Sequence, residues 1–256
     1  MRGSMTHLQV LHALLLRETR TRFGANYLGY FWALVQPAAW IGMFWAFYGV
    51  FGRMSPAGTS VLAFLTTGIG PFSSFRETTY RCMSAIESNK GLLFYAQVKP
   101  LDLVLARAVL ETATHVVVIA LLLGGVALYE GPPQINSMLD VLLGIGLAST
   151  LGAALGLVCC SLNAFSPTVE RIFPTMMRLF FWTSAMFHPV ESVPKTGREV
   201  LLLNPVAHAI ELVRVGWLPG YSSPHINPWY PVAWILVLVF FGLSLERMAR
   251  RHLELA

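Results

Sequence analysis

Residues 138–162 read MLDVLLGIGLASTLGAALGLVCCSL, a run with one charge, Asp140, placed near its start. As a helix rising about 1.5 Å per residue, the run is long enough to cross the roughly 30 Å hydrocarbon core of a bilayer. A barrel strand would be about ten residues long and would alternate apolar with polar positions. This stretch does neither. In hydrocarbon every backbone N–H and C=O must be paired inside the protein, and a helix does this within one segment. Gly144, Ala148, Gly152 and Gly156 recur at every fourth position. Small residues on one stripe let another helix approach closely, and the stripe is read as packing within one subunit rather than as a dimer seam.

Further runs of this kind lie on both sides, at about 30–51, 60–80, 103–128, 171–187 and 229–247. Across the 256 residues, 55% are hydrophobic and 12% are charged, with a mean hydropathy of +0.59. A soluble domain carries roughly 25% charged residues. The sequence therefore predicts an all-α integral membrane protein with six transmembrane helices. With six spans, Arg2, Arg17, Arg20, Arg22, Arg76, Arg81, Lys90, Lys99, Arg107, Arg171, Arg247, Arg250 and Arg251 share one side. Arg53, Lys195, Arg198 and Arg214 fall on the other, and Arg178 lies within the fifth span. Basic residues favour the cytoplasmic side, so both termini are expected there. Five or seven spans would scatter these charges over both faces. The same distribution explains the pI near 9.3 without nucleic acid as a partner.

Three segments are more than turns. Residues 5–28 carry Leu8, Leu11, Leu14 and Leu15 at helical spacing, followed by Arg17, Arg20 and Arg22, the pattern of a helix lying in the membrane surface. Met1–Ser4 read as an expression leader ahead of Met5. Residues 81–102 form a cytoplasmic segment in which Ser88-Asn89-Lys90-Gly91 precedes Leu92, Leu93, Phe94 and Tyr95 and Pro100 marks a stop. An apolar cluster exposed there would fit a protein groove. Residues 188–228 hold two short helical stretches, about 197–203 and 206–218, separated by Asn204-Pro205. Neither can span alone, and together they read as an external re-entrant hairpin before the last span.

The chain has no Gly-x-x-x-x-Gly-Lys-Ser/Thr phosphate loop, no Gly-x-Ser-x-Gly elbow and no His-Glu-x-x-His pair. Cys82, Cys159 and Cys160 show no metal spacing and read as packing residues. The residues with chemistry to offer are aromatic and basic. Trp40, Phe44, Phe47, Tyr48 and Phe51 fall by spacing on one face of the first span; Phe173, Phe180, Phe181 and Trp182 lie around Arg178 in the fifth. Sugar C–H groups match the negative face of an aromatic ring, so such rings suit a sliding glycan; lipid-facing or core positions are the alternative. An intramembrane Arg faces a partner or a wet cavity. For Arg178 the options are an acidic polymer or its phosphate, pairing with Glu170 or Glu77, or snorkelling to the cytoplasmic face. Arg107, Glu111 and His115, at i, i+4 and i+8, read as a self-neutralising structural stripe.

The run from Arg17 to Pro37, with Leu28, Gly29, Trp32 and Pro37 at their spacing, resembles the start of membrane subunits of bacterial ABC-2-type exporters for capsular polysaccharide, O-antigen and teichoic acid. The resemblance continues through residues 87–100 and into Asn204-Pro205 followed by Ile210, Glu211 and Arg214, covering essentially the whole chain. It is nearest the capsular polysaccharide exporter permease. It implies a homodimer in the bacterial inner membrane with a duct at the subunit interface, and a separate ABC ATPase that carries ATP and Mg, this chain holding no cofactor. Arg17, Arg20, Arg22, Asn89, Leu92, Leu93, Phe94 and Tyr95 would contact that ATPase, with lipid anchoring as the other reading of the arginines. Trp40, Phe44, Tyr48, Phe51, Arg178, Phe181 and Trp182 would line the path of a lipid-linked, acidic polysaccharide. Asn204, Pro205, Glu211 and Arg214 would lie in the re-entrant segment, facing periplasmic co-polymerase and export partners. Export of O-antigen or teichoic acid is the neighbouring reading, and a membrane-embedded glycan or acyl transferase is the rival of another class.

Overall fold

A computed structural model describes residues 2–23, 28–51, 58–93, 95 and 97–254. Among them all regular structure is helical: α1 (Arg2–Phe23), α2 (Leu28–Val50), α3 (Val61–Met83), α4 (Pro100–Glu130), α5 (Met138–Asn163), α6 (Thr168–Thr183), α7 (Lys195–Leu202), α8 (Pro205–Trp217) and α9 (Trp229–Glu254). Short 3-10 segments lie at Glu87–Leu92 and Val190–Ser192.

Among the described residues, four helical stretches are by themselves long and apolar enough to cross a membrane: Phe31–Val50 in α2, Pro100–Glu130, Met138–Asn163, and Trp229–Ala249 in α9. The helices read as the second and fifth spans fall short for different reasons. Helix α3 has the length but is rich in Thr, Ser and charge. Helix α6 has 16 residues, about 24 Å of helix against a core of roughly 30 Å.

Helix α3 tolerates its polar residues because it sits at the centre, packed by α5, α4, α8 and α2. Every residue from Ala63 to Phe75 is buried, so protein rather than lipid surrounds this stretch. Three of its hydroxyls are satisfied locally: Thr66, Thr67 and Thr79 donate to the carbonyls of Leu62, Ala63 and Phe75 at 2.7, 2.9 and 2.7 Å. Across the helix pair, Ser74 and Ser149 share a hydrogen bond of 2.6 Å. Such pairing removes most of the cost of a polar group away from water.

The small-residue stripe of α5 does what its spacing predicts. A Cβ on Gly152 would collide with the Phe75 carbonyl of α3, and one on Gly156 would lie 2.5 Å from Cys82 Cβ. One on Gly144 would lie 2.5 Å from Val213 of α8. The stripe is thus filled within the chain. Partners ascend together along α3 and α5 (74 with 149, 75 with 152, 79 with 156), so these helices run parallel. They descend along α4 (Gly70 with Ile119, Arg81 with Glu111, Cys82 with Val104), which therefore runs the opposite way.

After α6 the chain breaks at Ala185, which has φ 54°, and α7 and α8 follow at 101° to each other. Asn204 caps α8 by accepting the Val206 N–H at 3.0 Å, and Pro205 occupies the first turn, where its missing N–H costs nothing. Eleven of the thirteen residues of α8 are buried, so its backbone is covered by protein.

Candidate substrate path and cytoplasmic contact surface

Two adjoining cavities open between α2, α3, α4 and α6. The larger, about 610 Å³, is walled by Trp40, Phe72, Phe173, Phe181 and Trp182, with Arg178, Arg76 and Glu77 among its polar groups. The smaller, about 270 Å³, is lined by Trp32, Pro37, Ser73, Arg81 and His115. They share Gln36, Arg76 and Glu77. Arg76 and Glu77 form an ion pair at 3.0 Å on this shared wall, each about a quarter exposed.

The aromatic residues divide. Trp40, Phe181 and Trp182 line the large cavity. Phe44 stacks on Trp40 at 5.8 Å between centroids and packs against Phe187 at 4.3 Å. Tyr48 is turned into the core, where its hydroxyl donates to the Phe187 carbonyl at 2.6 Å. Phe51 is exposed beside Phe47 and lines neither cavity. The expected single aromatic face is therefore two surfaces, because a stripe at i, i+4, i+8 and i+11 on an isolated helix is divided once α6 packs over part of it.

Arg178 is exposed on α6, lines the large cavity and makes no ion pair among the described residues. Neither Glu170 nor Glu77 holds it; Glu77 is taken by Arg76. The expected stripe on α4 also divides. Glu111, 2% exposed, lies 3.8 Å from Arg81 and 4.0 Å from His115. Arg107 turns instead to Glu18 of α1, its Nε donating at 2.5 Å. Spacing along one helix could not reveal a partner on another.

The two segments that the sequence singles out as cytoplasmic meet. Arg17 of α1 donates to Asn89 Oδ1 at 2.8 Å, and Asn89 is buried while donating to the Ala85 carbonyl at 3.0 Å. Arg20 is exposed on the same helix. Residues 87–92 form a 3-10 helix, broken at Asn89, rather than an amphipathic α-helix. Leu92 and Leu93 are half-buried against a cluster containing Leu14, Ile86 and Leu103, so they are not the exposed patch that their sequence suggests. Tyr95 is 65% exposed. Phe94 and the side chain of Arg22 lie outside the described residues, as does Arg53.

On the opposite side, Glu211 and Arg214 are fully buried and paired at 2.7 Å. Arg214 also donates to the carbonyls of Ala185 and Met186, at 2.7 and 2.5 Å, and its guanidinium lies 3.8 Å above the Phe64 ring. Tyr221 donates to the other Glu211 oxygen at 2.7 Å. Burial, then the neighbouring Glu211 carboxylate, push the Tyr221 phenol well above its usual pKa and keep it a neutral donor. Asn204 donates to Thr183 Oγ1 at 3.2 Å. His208 accepts the Asn227 N–H on Nδ1, which leaves Nε2 as the donor to the Leu202 carbonyl, 2.9 Å away. These residues clamp α8 to the break after α6. That role was not read from the sequence, where Glu211 and Arg214 stood out only by resemblance.

Residues 9–218, α1 through α8 and both cavities, match the family described as ABC-2 type transporter. The chain belongs to the ABC-2 type transporter family. Within it, the chain is 35% identical over 237 residues to the polysialic acid transport protein KpsM of Escherichia coli, covering 93% of this chain and 92% of that protein. It is 32% identical over 253 residues to the capsule polysaccharide export inner-membrane protein CtrC of Neisseria meningitidis serogroup B, covering 96% and 93%. The O-antigen export system permease protein RfbA of Myxococcus xanthus is 24% identical over 250 residues. The ABC-2 family match takes in the Leu28–Pro37 motif, of which Trp32 and Pro37 line the smaller cavity, and the Asn204-Pro205 cap of α8.

Proposed function

We propose that this chain is the permease subunit of an ATP-driven exporter that moves a lipid-linked, acidic capsular polysaccharide across the bacterial inner membrane. The observation that carries the reading is the near full-length similarity to capsule export proteins, one of them named for an acidic polymer. The aromatic cavity with Arg178 at its wall supports it physically: ring faces stack on sugars without a single tight site, and an arginine without an ion pair is available to a carboxylate or phosphate. Export of O-antigen is the second reading, and the lower identity to RfbA favours it less.

In this reading the chain has six spans with both termini in the cytoplasm. The parallel run of α3 and α5, with α4 opposite, agrees with the second, third and fourth spans alternating in direction. Helix α3 spans while shielded by its neighbours, and the short α6 reaches across with the help of the residues that follow it. Helices α7 and α8 form a re-entrant hairpin whose backbone is covered by protein, as hydrocarbon requires. Two copies pair to form the duct. A separate ABC ATPase binds ATP and Mg and acts on Arg17, Arg20, Arg22, Tyr95 and the neighbouring residues 87–94, while periplasmic export partners meet the 188–228 segment.

The test is co-expression of the chain with candidate ABC ATPases in a capsule-deficient, polysialic-acid-synthesising strain that lacks its own permease. Co-purification of an ATPase together with restored surface polymer is the expected result. Restored O-antigen in a matching O-antigen permease mutant, without capsule, would replace this reading by the second one.

A further inference from the structure

One residue of α4 ties α1 to the end of α3. Arg107, on α4, has a side chain that is 11% exposed. Its Nε donates to Glu18 of α1 at 2.5 Å, and its terminal nitrogen donates to the Arg81 carbonyl at 2.9 Å and to Ser84 Oγ at 3.0 Å. Arg81 and Ser84 form the last turn and C-cap of α3, and the 87–92 segment begins three residues later. One guanidinium therefore holds three elements: the surface helix, the end of the central helix and the long helix α4. A planar guanidinium does this with two nitrogens held in fixed relation, whereas an ammonium offers a single nitrogen on a flexible stem. The Arg17–Asn89 bond closes the same arrangement from the other side, tying α1 to the 3-10 segment.

The tie leads to the cavities. Arg81, whose carbonyl Arg107 holds, lines the smaller cavity, and its own Nε lies 3.8 Å from buried Glu111. Moving α1 or the 87–92 segment relative to α4 therefore strains the Arg107 bonds and displaces the turn that carries Arg81.

We propose that Arg107 is a positioning residue for energy coupling: through Glu18, Ser84 and the Arg81 carbonyl it converts a push on α1 and the 87–92 segment into movement of the cavity wall. This rests on the ATPase-driven reading above. It adds that the link is mechanical, local to one side chain, and separable from ATPase binding, because neither Arg107 nor Glu18 is among the residues assigned to ATPase contact. The Glu18–Arg107 pair is largely withdrawn from solvent, where removing one partner strands the other.

The experiment uses the full complex with its ATPase in proteoliposomes and compares Arg107→Gln, Glu18→Gln, the double variant and the exchange Glu18→Arg with Arg107→Glu. ATPase co-purification, ATP hydrolysis and polymer moved per ATP are all measured. For Arg107→Gln, co-purification and hydrolysis stay within about twofold of wild type while polymer per ATP falls by about tenfold, a coupling loss of ordinary allosteric size. Glu18→Gln falls less, because Ser84 and the Arg81 carbonyl still hold the guanidinium, and the double variant is no worse than Arg107→Gln. Polymer per ATP unchanged in Arg107→Gln, or hydrolysis and export falling together with their ratio preserved, overturns the proposal. If Arg107→Gln fails to insert, Glu18→Gln carries the same test alone. Should the wild-type chain recruit no ATPase, it is the functional reading that fails.

Discussion

Two arginines that the sequence places near or within the membrane have opposite surroundings. Arg214 is fully buried, with a carboxylate, two carbonyls and a ring face around it. Arg178 is exposed at the wall of the larger cavity with no ion pair among the described residues. A buried charge of the first kind is committed to the fold, since both terminal nitrogens are already held, by a carboxylate and two carbonyls. A charge of the second kind has its donors in reserve. The contrast separates residues that hold this transporter together from residues available to what it carries.

The largest effect tests the committed side. Arg214→Leu leaves Glu211 charged and buried and strips two carbonyls of their donor, and losing one partner of a buried pair costs about 3–5 kcal/mol. The expected result is loss of the monodisperse detergent-solubilised peak and collapse of thermal stability. Full export from such a variant would show that the clamp is dispensable. Next comes Gly68→Ala. The added methyl would lie 2.7 Å from the Arg214 guanidinium and 2.8 Å from the Met186 carbonyl it binds, and overpacking of this kind costs about 1–3 kcal/mol. Gly49→Ala is the control: nothing lies within 4 Å of its Cβ position, so its thermal midpoint should not fall.

The third effect tests the uncommitted side. Arg178→Gln should leave the thermal midpoint unchanged, because no ion pair among the described residues is lost. Export of an acidic polymer should fall about tenfold, the equivalent of about 1.4 kcal/mol, while a neutral polymer moves at the wild-type rate. Equal losses for both polymers would assign Arg178 to the shape of the path rather than to charge recognition.

What could be read in advance follows the range of the forces involved. Helix positions were legible because hydrophobicity and the Asn204-Pro205 cap act within one segment: α5 and α8 lie within two residues of their expected limits. The Gly144–Gly156 stripe was legible for the same reason. The environment of α3 was not, because its polar composition makes sense only once four helices surround it. Arg107 was read as a partner of Glu111 four residues on, yet Glu18, eighty-nine positions away, holds it. Leu92 and Leu93 read as an exposed patch, yet they pack against a cluster to which α1 contributes Leu14. At the candidate path, Trp40, Arg178, Phe181 and Trp182 converge, whereas Tyr48 turns inward to a carbonyl that no periodicity could place there.

The smallest effect asks whether the Arg214 cluster is graded or all-or-none. Tyr221→Phe removes one hydroxyl and nothing else, leaving the Glu211 oxygen at 2.7 Å without its donor. The Glu211–Arg214 bond survives, so the carboxylate stays paired, and the change should cost about 1–3 kcal/mol, the penalty for one buried acceptor left unsatisfied. The ring remains packed against Phe64, whose centroid is 6.5 Å away, so little apolar contact is lost. A thermal midpoint lowered by a few degrees with export intact is the graded outcome. A collapse as complete as that of Arg214→Leu would mean that Arg214 is held only when all of its neighbours are in place, and the contrast with Arg178 would then be between a cooperative cluster and a free side chain rather than between two individual residues.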